Sequence, residues 1–467
     1  MPEWEPVVGL EIHVQLKTRT KMFCCCPNTY ATGANTNTCP VCLAYPGALP
    51  TPNQTAVEWT LKLGLALGCE IAPRALFHRK HYPYPDLPKG YQISQYDEPL
   101  CVDGTFTVPG ADGDFEVGIV RAHLEEDAAK TIHVGGATGR IVGAAHSNID
   151  FNRGGTPLVE IVTRPDIRSA DHARRFLQLL RQTIVELGIS DAEMEKGQLR
   201  ADANVSVREV GEAGYRTRTE LKNMNSFNHI GRGIEAEVRR QVETWESGGE
   251  VVQQTLDYEV KSDTVTPRRR KEEADDYRYF PEPDLVPVEP QAELLERLRS
   301  ELPELPAARI KTLAADVGYD QALDLVTTGN EHKAQLLAQN GLDWPTAANV
   351  SMNQLASIDP LPENGHALVE IIKQRDTIPR ETLLAAFADS AGGPLDFEAV
   401  LAEKVVADTA ELEPLVDRIL ADSPGQVAAY KGGKQGLLGY FVGQVMKETQ
   451  GKADPKSVNE LLRSKLG

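Results

Sequence analysis

The sequence predicts an α+β fold: a mixed sheet with helices over residues 1–290, then helices alone. Three observations carry this. Several segments before residue 285 alternate apolar and polar residues with a period of two, two long segments among them have helical spacing, and strand patterns vanish after a proline-rich stretch. A chain of 467 residues is also too long for one core, so roughly two to four domains are expected.

The first strand begins at residue 7. Val8, Leu10, Ile12, Val14 and Leu16 fall on one face and Gly9, Glu11, His13, Gln15 and Lys17 on the other, so a half-buried strand presents Glu11 and His13 together. Five of the seven cysteines follow, Cys24, Cys25, Cys26, Cys39 and Cys42, while Cys69 and Cys101 stand alone. Two closely spaced thiol pairs, Cys24 with Cys26 and Cys39 with Cys42, can close a tetrahedral Zn²⁺ site, and four sulfurs leave no open position for catalysis. Such a zinc is structural; a set of free thiols is the other reading, and Cys25 is a surplus sulfur that could compete as a ligand.

Residues 79–92 (Arg-Lys-His-Tyr-Pro-Tyr-Pro-Asp-Leu-Pro-Lys-Gly-Tyr-Gln) are dense in proline, tyrosine and charge, which suggests a rigid functional loop, with a plain structural Ω-loop as the rival. The glycine-rich run 135–140 sits between strand-like segments and is expected to be a hairpin turn. Residues 170–187, with Phe176, Leu179, Leu180, Ile184 and Leu187, and residues 229–245 read as helices. Strand alternation returns at 201–208, where Asp202, Asn204, Ser206 and Arg208 share a face, and at 216–222, where Arg216, Arg218, Glu220 and Lys222 do. Arg268-Arg269-Arg270-Lys271, followed by Glu272-Glu273 and Asp275-Asp276-Tyr277-Arg278-Tyr279-Phe280, could grip phosphates or form a solvated face. A boundary is placed near 291. Residues 291–403 read as short helices broken by prolines, and 404–467 as a last section whose charge changes: residues 431–467 hold seven Lys and Arg against three acids, a local net of +4.

Acidic residues recur on the polar strand faces: Glu11 beside His13, Glu125-Glu126-Asp127, Glu160 within the apolar run 158–162, Asp202 and Glu220. A carboxylate on an apolar strand needs a cation or donors. Salt bridges to the many arginines would serve, and so would Mg²⁺, which prefers oxygen ligands and bridges carboxylates to nucleotide phosphates.

Composition narrows the function classes. With 41% hydrophobic and 25% charged residues the chain reads as an ordinary soluble globular protein, without the roughly 18-residue apolar run of a membrane span. Acids near the N-terminus argue against export, so a cytoplasmic location is expected. A net charge of −19 argues against a general DNA coat and confines any nucleic-acid contact to a local basic surface. There is no phosphate-binding G-x-x-x-x-G-K-[ST] loop and no G-x-S-x-G nucleophile elbow. ATP, if used, is bound another way, and the chain is not expected to make its own ammonia from glutamine.

Ordered blocks along nearly the whole chain resemble one family. They are residues 8–16 (Val-Gly-Leu-Glu-Ile-His-Val-Gln-Leu), 43–50 (Leu-Ala-Tyr-Pro-Gly-Ala-Leu-Pro), 84–94, 123–127 (His-Leu-Glu-Glu-Asp) and 152–162 (Asn-Arg-Gly-Gly-Thr-Pro-Leu-Val-Glu-Ile-Val). Further blocks lie at 199–204, 220–227 (Glu-Leu-Lys-Asn-Met-Asn-Ser-Phe), 273–285 and 443–447. The family is that of the B subunits of the aspartyl/glutamyl-tRNA amidotransferase. The resemblance implies a cradle-like catalytic domain (1–290), a helical domain (291–403) and a small tail domain (404–467) that contacts tRNA through a basic surface including Lys431, Lys434, Lys447 and Lys452.

It also implies the chemistry: Glu on tRNA(Gln), or Asp on tRNA(Asn), is phosphorylated by ATP with Mg²⁺, and ammonia from the amidase-like A subunit displaces phosphate. By resemblance Glu11, His13, Glu125, Glu126, Glu160, Asp202 and Glu220 form the metal and nucleotide shell, and Lys80, Tyr82, Asp86 and Tyr91 line the ammonia path and pocket. The A and C subunits of a heterotrimer, misacylated tRNA and an associated aminoacyl-tRNA synthetase are the implied partners. His81 and Pro83 stand where Asn and Phe are expected, and Cys25 adds a third sulfur. The related archaeal E subunit carries a large insertion for which 467 residues leave no room. Neither a docking scaffold nor a zinc and nucleic-acid module would need the strand-face carboxylates.

Overall fold

The computed structural model describes residues 3–29, 33–135, 141, 143–269, 277–361, 364–375, 378, 380–389, 396, 398, 400, 409–449 and 451–467. The chain packs as two compact units, Met1–Thr312 and Leu313–Gly467. The strands belong to the first unit: β1 (Trp4–Gln15), β2 (Glu70–Ile71), β3 (His78–His81), β4 (Tyr91–Ser94), β5 (Cys101–Val108), β6 (Phe115–Glu126), β7 (Lys130–Val134), β8 (His146–Asp150), β9 (Pro157–Thr163), β10 (Leu199–Glu209), β11 (Thr219–Lys222), β12 (Thr255–Glu259), β13 (Thr264–Arg269) and β14 (Phe280–Pro281). Nine form one sheet in the order β13-β12-β11-β10-β1-β9-β6-β5-β2. Its neighbours are antiparallel except β11 and β12, which run parallel, so the expected mixed sheet is mixed through that pair.

The alternation of β1 becomes a division of faces. Leu10, Ile12 and Val14 are buried opposite Ala203, Ala201 and Leu199 of β10, and Ile12 and Val14 opposite Ile161 and Val159 of β9. Helix α2 follows α1 (Gln54–Ala66) and spans Ala170–Glu186, capped by Ser169, whose side chain accepts from His172 N; α3 (Phe227–Glu246) is capped in the same way by Ser226. Phe176 of α2 meets Phe106 of β5 edge-on with ring centroids 5.7 Å apart. On α3, Gln241 Nε2 donates to Val205 O (3.0 Å), and the buried Glu237 is held by Thr219 Oγ1 (2.6 Å) and Arg240. Because Phe176 is fully buried, Phe176→Ala is expected to leave a cavity and destabilise the protein by about 3–5 kcal/mol, read as a lowered denaturation midpoint.

Two expectations are corrected here. The segment 216–222 is strand only from Thr219, because Ser206 Oγ donates to the carbonyl of Arg216 (3.0 Å) and the Arg216 guanidinium lies over the rings of Trp4 and Trp245. Residues 79–92 are not one loop: β3 and β4 pair antiparallel within them and join β14 in a three-stranded sheet. The polar His-Arg-Lys-His of β3 has no apolar alternation by which a strand could be recognised. Of the glycine-rich turn, Gly135 follows β7, which pairs antiparallel with β8; residues 136–140 lie outside the described residues, as do Arg270 to Asp276 and the boundary near 404.

Beyond residue 290 only helices occur among the described residues: α4 (Ala292–Ser300), α5 (Pro306–Val317), α6 (Tyr319–Thr327), α7 (Glu331–Gln339), α8 (Trp344–Asn353), α9 (Gly365–Lys373), α10 (Arg380–Asp389), α11 (Thr409–Asp422), α12 (Pro424–Lys431), α13 (Leu438–Glu448) and α14 (Pro455–Leu466), with one short 3₁₀ turn. Helix α4 packs on α1, where Arg297 Nη2 meets Glu58 Oε2 at 2.7 Å. The second unit has one core around Leu355, Leu368, Ile371 and Phe387 and another around Val416, Phe441, Val445 and Leu462. Among the described residues no helix is long and apolar enough to cross a membrane.

Candidate active site and thiol cluster

Strand register lays the polar face of the large sheet out in rows. His123, Glu160, His13 and Arg200 lie side by side on β6, β9, β1 and β10; Arg121, Val162, Glu11 and Asp202 form the next row. Gly9, Asn204, Glu220 and Thr255 form a third. Residues distant in sequence thus meet because a period of two puts every second side chain on this face.

At the centre, His13 Nε2 is 3.5 Å from Glu125 Oε1 and 3.8 Å from Glu160 Oε2, and His123 Nε2 is 3.3 Å from the same Glu160 oxygen. One donor atom from each of His13, Glu125 and Glu160 lies within 4.8 Å of the others. Burial alone would raise the Glu160 pKa, but His123, His13 and Lys80 outweigh it and hold the carboxyl well below its ordinary range. Burial opposes the charge on Lys80 in the same way, yet Tyr279, Glu125 and Glu160 push its pKa up and keep it cationic, with Nζ 4.8 Å from the Tyr277 ring centroid. Burial raises the pKa of Tyr82, Asp86 and Tyr91.

Of the other acids named from the sequence, Glu11 accepts from Asn204 Nδ2 (2.9 Å), and Asp202 meets Lys222 Nζ (2.5 Å). Glu220 accepts from Thr255 Oγ1 (2.9 Å) and pairs with Lys222 (3.3 Å). Glu126 turns away from His13 and Glu160: Lys89 Nζ (2.5 Å) and Ile93 N (2.9 Å) hold it at a cavity of about 270 Å³ that Lys21, Cys24 and Cys42 also line. Two larger clefts meet at the central group. One of about 950 Å³ is lined by Glu11, Lys80, His123, Glu160, Arg218 and Tyr279, and one of about 650 Å³ by His13, Arg200, Asp202, Lys222 and Asn223.

An imidazole and two carboxylates suit a hard divalent cation and leave coordination positions for water or phosphate oxygens. The donor set of His13, Glu125 and Glu160 fits such a cation. The buried Gln95 Nε2, a donor without an acceptor among the described residues, suits an anionic oxygen beside it, and His123 Nδ1 is likewise buried without a partner; both residues line the larger cleft. Sequence reasoning missed Gln95, Arg121 and Arg200 as site residues. Alternation continued from Val117 and Ile119 points Arg121 to the core and so hides it, and Gln95 gave no signal.

The thiols Cys24, Cys26, Cys39 and Cys42 also gather within 4.8 Å. Cys39 and Cys42 Sγ are 3.8 Å apart, matching the edge of ~3.8 Å that ~2.3 Å zinc–sulfur bonds give a tetrahedron. Cys25 is exposed and outside the cluster. Hydrogen bonding from Cys24, backed by the Cys39 N–H and the cation of Lys21, outweighs burial and lowers the Cys42 pKa to about 4; burial and Cys39 push Cys26 up to about 12. Lys21, only 1% exposed, has Nζ 3.9 Å from Cys42 Sγ and 3.0 Å from Phe151 O. A cation buried against the cluster would offset the negative charge of a tetrathiolate metal site. The four cysteines form a possible metal centre consistent with structural zinc.

His81 stacks on Phe280 with centroids 4.9 Å apart, and its Nδ1 lies 3.2 Å from Arg278 O. In the second unit Lys431 ends α12, Lys434 follows it, Lys447 lies on α13 and Lys452 after it; all four are exposed.

Fold and site together define a protein with a cleft on one face of an antiparallel-rich sheet that gathers His13, Glu125 and Glu160, joined in sequence to a helical region. Residues 6–296 match the family model described as the GatB/GatE catalytic domain, and residues 346–466 match that described as the GatB domain; the chain belongs to this family. It is 43% identical to the B subunit of the aspartyl/glutamyl-tRNA(Asn/Gln) amidotransferase from Syntrophotalea carbinolica over 99% of this chain and 98% of that one. It is similarly 43% identical to the protein of that name from Geobacter sulfurreducens (99% of each chain) and 44% identical to that from Anaeromyxobacter dehalogenans (100% and 99%).

Proposed function

We propose that the chain works as the B subunit of a tRNA-dependent amidotransferase, a glutamine-dependent carbon–nitrogen ligase that converts misacylated Glu-tRNA(Gln), Asp-tRNA(Asn) or both to the amides. A side-chain carboxylate oxygen attacks the γ-phosphorus of ATP and ADP leaves. Ammonia then attacks the acyl carbon, loses a proton, and phosphate departs. Family membership and full-length likeness to proteins of that name support this reading. The observation that carries it is the His13, Glu125 and Glu160 group where the two clefts meet.

Phosphoryl transfer needs positioned charge more than a covalent catalyst. Mg²⁺ bound by His13, Glu125 and Glu160 would neutralise phosphate charge and orient the γ-phosphoryl group. His123 fixes Glu160, Lys80 supplies a cation beside both glutamates, and Glu11 and Asp202 occupy the adjoining row, with Glu220 and Glu126 acting further out through their lysine partners. Lys80, Tyr82, Asp86 and Tyr91 belong to the route by which ammonia, made by the partner amidase, reaches the pocket. The small third protein of the heterotrimer and a non-discriminating synthetase complete the assembly in the cytoplasm. The division into catalytic (1–290), helical (291–403) and tail (404–467) domains belongs to the same proposal, as does structural zinc at the four cysteines.

The test is release of labelled γ-phosphate by the reconstituted heterotrimer with Mg²⁺ and each misacylated tRNA in turn. Release that depends on one of them supports the reading and names the substrate; release indifferent to both overturns it. For the tail, changing Lys431, Lys434, Lys447 and Lys452 together to Glu is expected to weaken tRNA binding by on the order of tenfold and flatten its salt dependence, measured by filter binding across a salt series.

A further inference from the structure

The polar face of β6 depends on a local irregularity. Ile119 is opposite Thr163 and Arg121 opposite Val162, so two steps along β6 match one along β9: a β-bulge at Val120. Before the bulge the odd-numbered Val117 and Ile119 are buried in the core; after it the even-numbered Ala122 and Leu124 are, and Arg121, His123 and Glu125 take the site face. Without that extra residue, Arg121 would follow Val117 and Ile119 into the apolar layer. Bulges of this kind re-aim side chains beside active sites.

The side chain so delivered is not neutralised. Arg121 is half-buried, lines the larger cleft, and its Nε is buried without a hydrogen-bond partner; among the described residues no carboxylate pairs with it. Two neighbouring guanidiniums have carboxylate partners: Arg216 is taken by Glu212 and Arg200 Nη2 by Asp127, although Arg200 Nε is likewise buried without a partner among the described residues. Facing the same cleft is Gln95, 1% exposed, whose Oε1 accepts from Leu124 N (3.1 Å), leaving Nε2 as the free end. A half-buried guanidinium and a buried amide donor without partners are costly by themselves and become favourable only when an anion supplies the missing acceptors. The planar fork of arginine suits paired phosphoryl oxygens.

We propose that Arg121 is a phosphate-binding residue of this cleft, taking phosphoryl oxygens of the bound nucleotide, with Gln95 as the second donor. This rests on the phosphoryl-transfer reading above. The shared chemistry, an anionic oxygen, could also come from the side-chain carboxylate of the aminoacyl group, and the test separates the two.

The reconstituted heterotrimer would be titrated with a non-hydrolysable β,γ-imido analogue of ATP and Mg²⁺, then assayed for tRNA-dependent phosphate release while ATP and misacylated tRNA are varied separately. R121Q is expected to bind the analogue about tenfold or more weakly and to raise KM for ATP while leaving KM for the tRNA unchanged, with R121K recovering part of the loss. Analogue binding by R121Q as tight as by the parent overturns the proposal, and so does a rise confined to KM for the tRNA, which would assign Arg121 to the acceptor carboxylate. A parent complex that binds no analogue removes the phosphoryl-transfer reading itself. Should R121Q fail to assemble with its partner proteins, R121K decides by the same criterion, since it keeps the charge and loses only the fork.

Discussion

In the assembled enzyme Glu160→Gln is expected to lower tRNA-dependent ATP cleavage by on the order of a thousandfold while glutamine hydrolysis by the partner amidase persists. The substitution keeps the shape of the side chain and removes its charge. In the native site that charge is shared by His123 at 3.3 Å and His13 at 3.8 Å, with Lys80 close enough to help hold the carboxyl ionised. An amide there offers one neutral oxygen, and its NH₂ faces an imidazole that previously met an acceptor. The metal-competent group then has one carboxylate in place of two, and Lys80 loses part of the field that keeps it cationic. The defect lies upstream of ammonia, so adding ammonium salt in place of glutamine is not expected to restore turnover. Normal ATP cleavage by the variant would mean that phosphoryl transfer occurs away from His13, Glu125 and Glu160.

Asp202→Asn separates the centre from its margin. Asp202 is a row away and bound to Lys222, so its loss is expected to be milder. That contrast follows from register alone, and register is also what decides how much of the site is legible in the sequence. A period of two shows that Glu11 and His13 share a face, that Asp202 and Asn204 do, and that Glu160 sits on an apolar strand. It does not show which strands are neighbours. Placing β9 between β1 and β6 is a long-range outcome of packing, and only that order brings Glu160 between His13 and His123.

The same limit explains Glu126. It adjoins Glu125 in sequence, but consecutive residues of a strand point to opposite faces, so one joins His13 and the other goes to Lys89 and Ile93 N. Arg121 is hidden by the bulge, because a strict alternation extended from Val117 and Ile119 would place it in the core. Gln95 stands one residue beyond β4 and gains its place through a hydrogen bond from Leu124. By contrast the α+β class, the two long helices with their Ser169 and Ser226 caps and the helical second half rest on local periodicity and capping, which a sequence does display.

Disruption of the four-thiol cluster is expected to have the largest effect on stability. The described residues between β1 and α1 form no helix and no strand, only the bridge between Thr20 and Pro27, so few backbone ladders hold that segment. It is held by packing of Phe23 edge-on against Phe77 (5.4 Å), by scattered hydrogen bonds such as Thr51 N to Phe23 O, Met22 N to Gly155 O, Asn35 N to Asp150 Oδ1 and Asn37 N to Asn152 Oδ1, and by the four thiols. Cys39→Ser or Cys42→Ser, or prolonged chelation, is expected to remove about one zinc per chain and to lower the melting temperature by on the order of 10 °C. Cys25→Ser is expected to do neither, because Cys25 is exposed and outside the cluster. The loss should exceed that of a lone thiol, because it takes the compensating negative charge of the cluster from the buried Lys21, whose other hydrogen-bond partner among the described residues is Phe151 O. It should also be felt at a distance: Gly155 N donates to Asp127 O, and the Asp127 carboxylate receives Gln15 Nε2 (2.8 Å) and Arg200 Nη2 (3.2 Å) beside His13. ATP cleavage by the cysteine variants should therefore be near that of the parent when cold and fail at a lower temperature. A metal content of zero in the parent, or a melting temperature indifferent to chelation, would return the cluster to four free thiols.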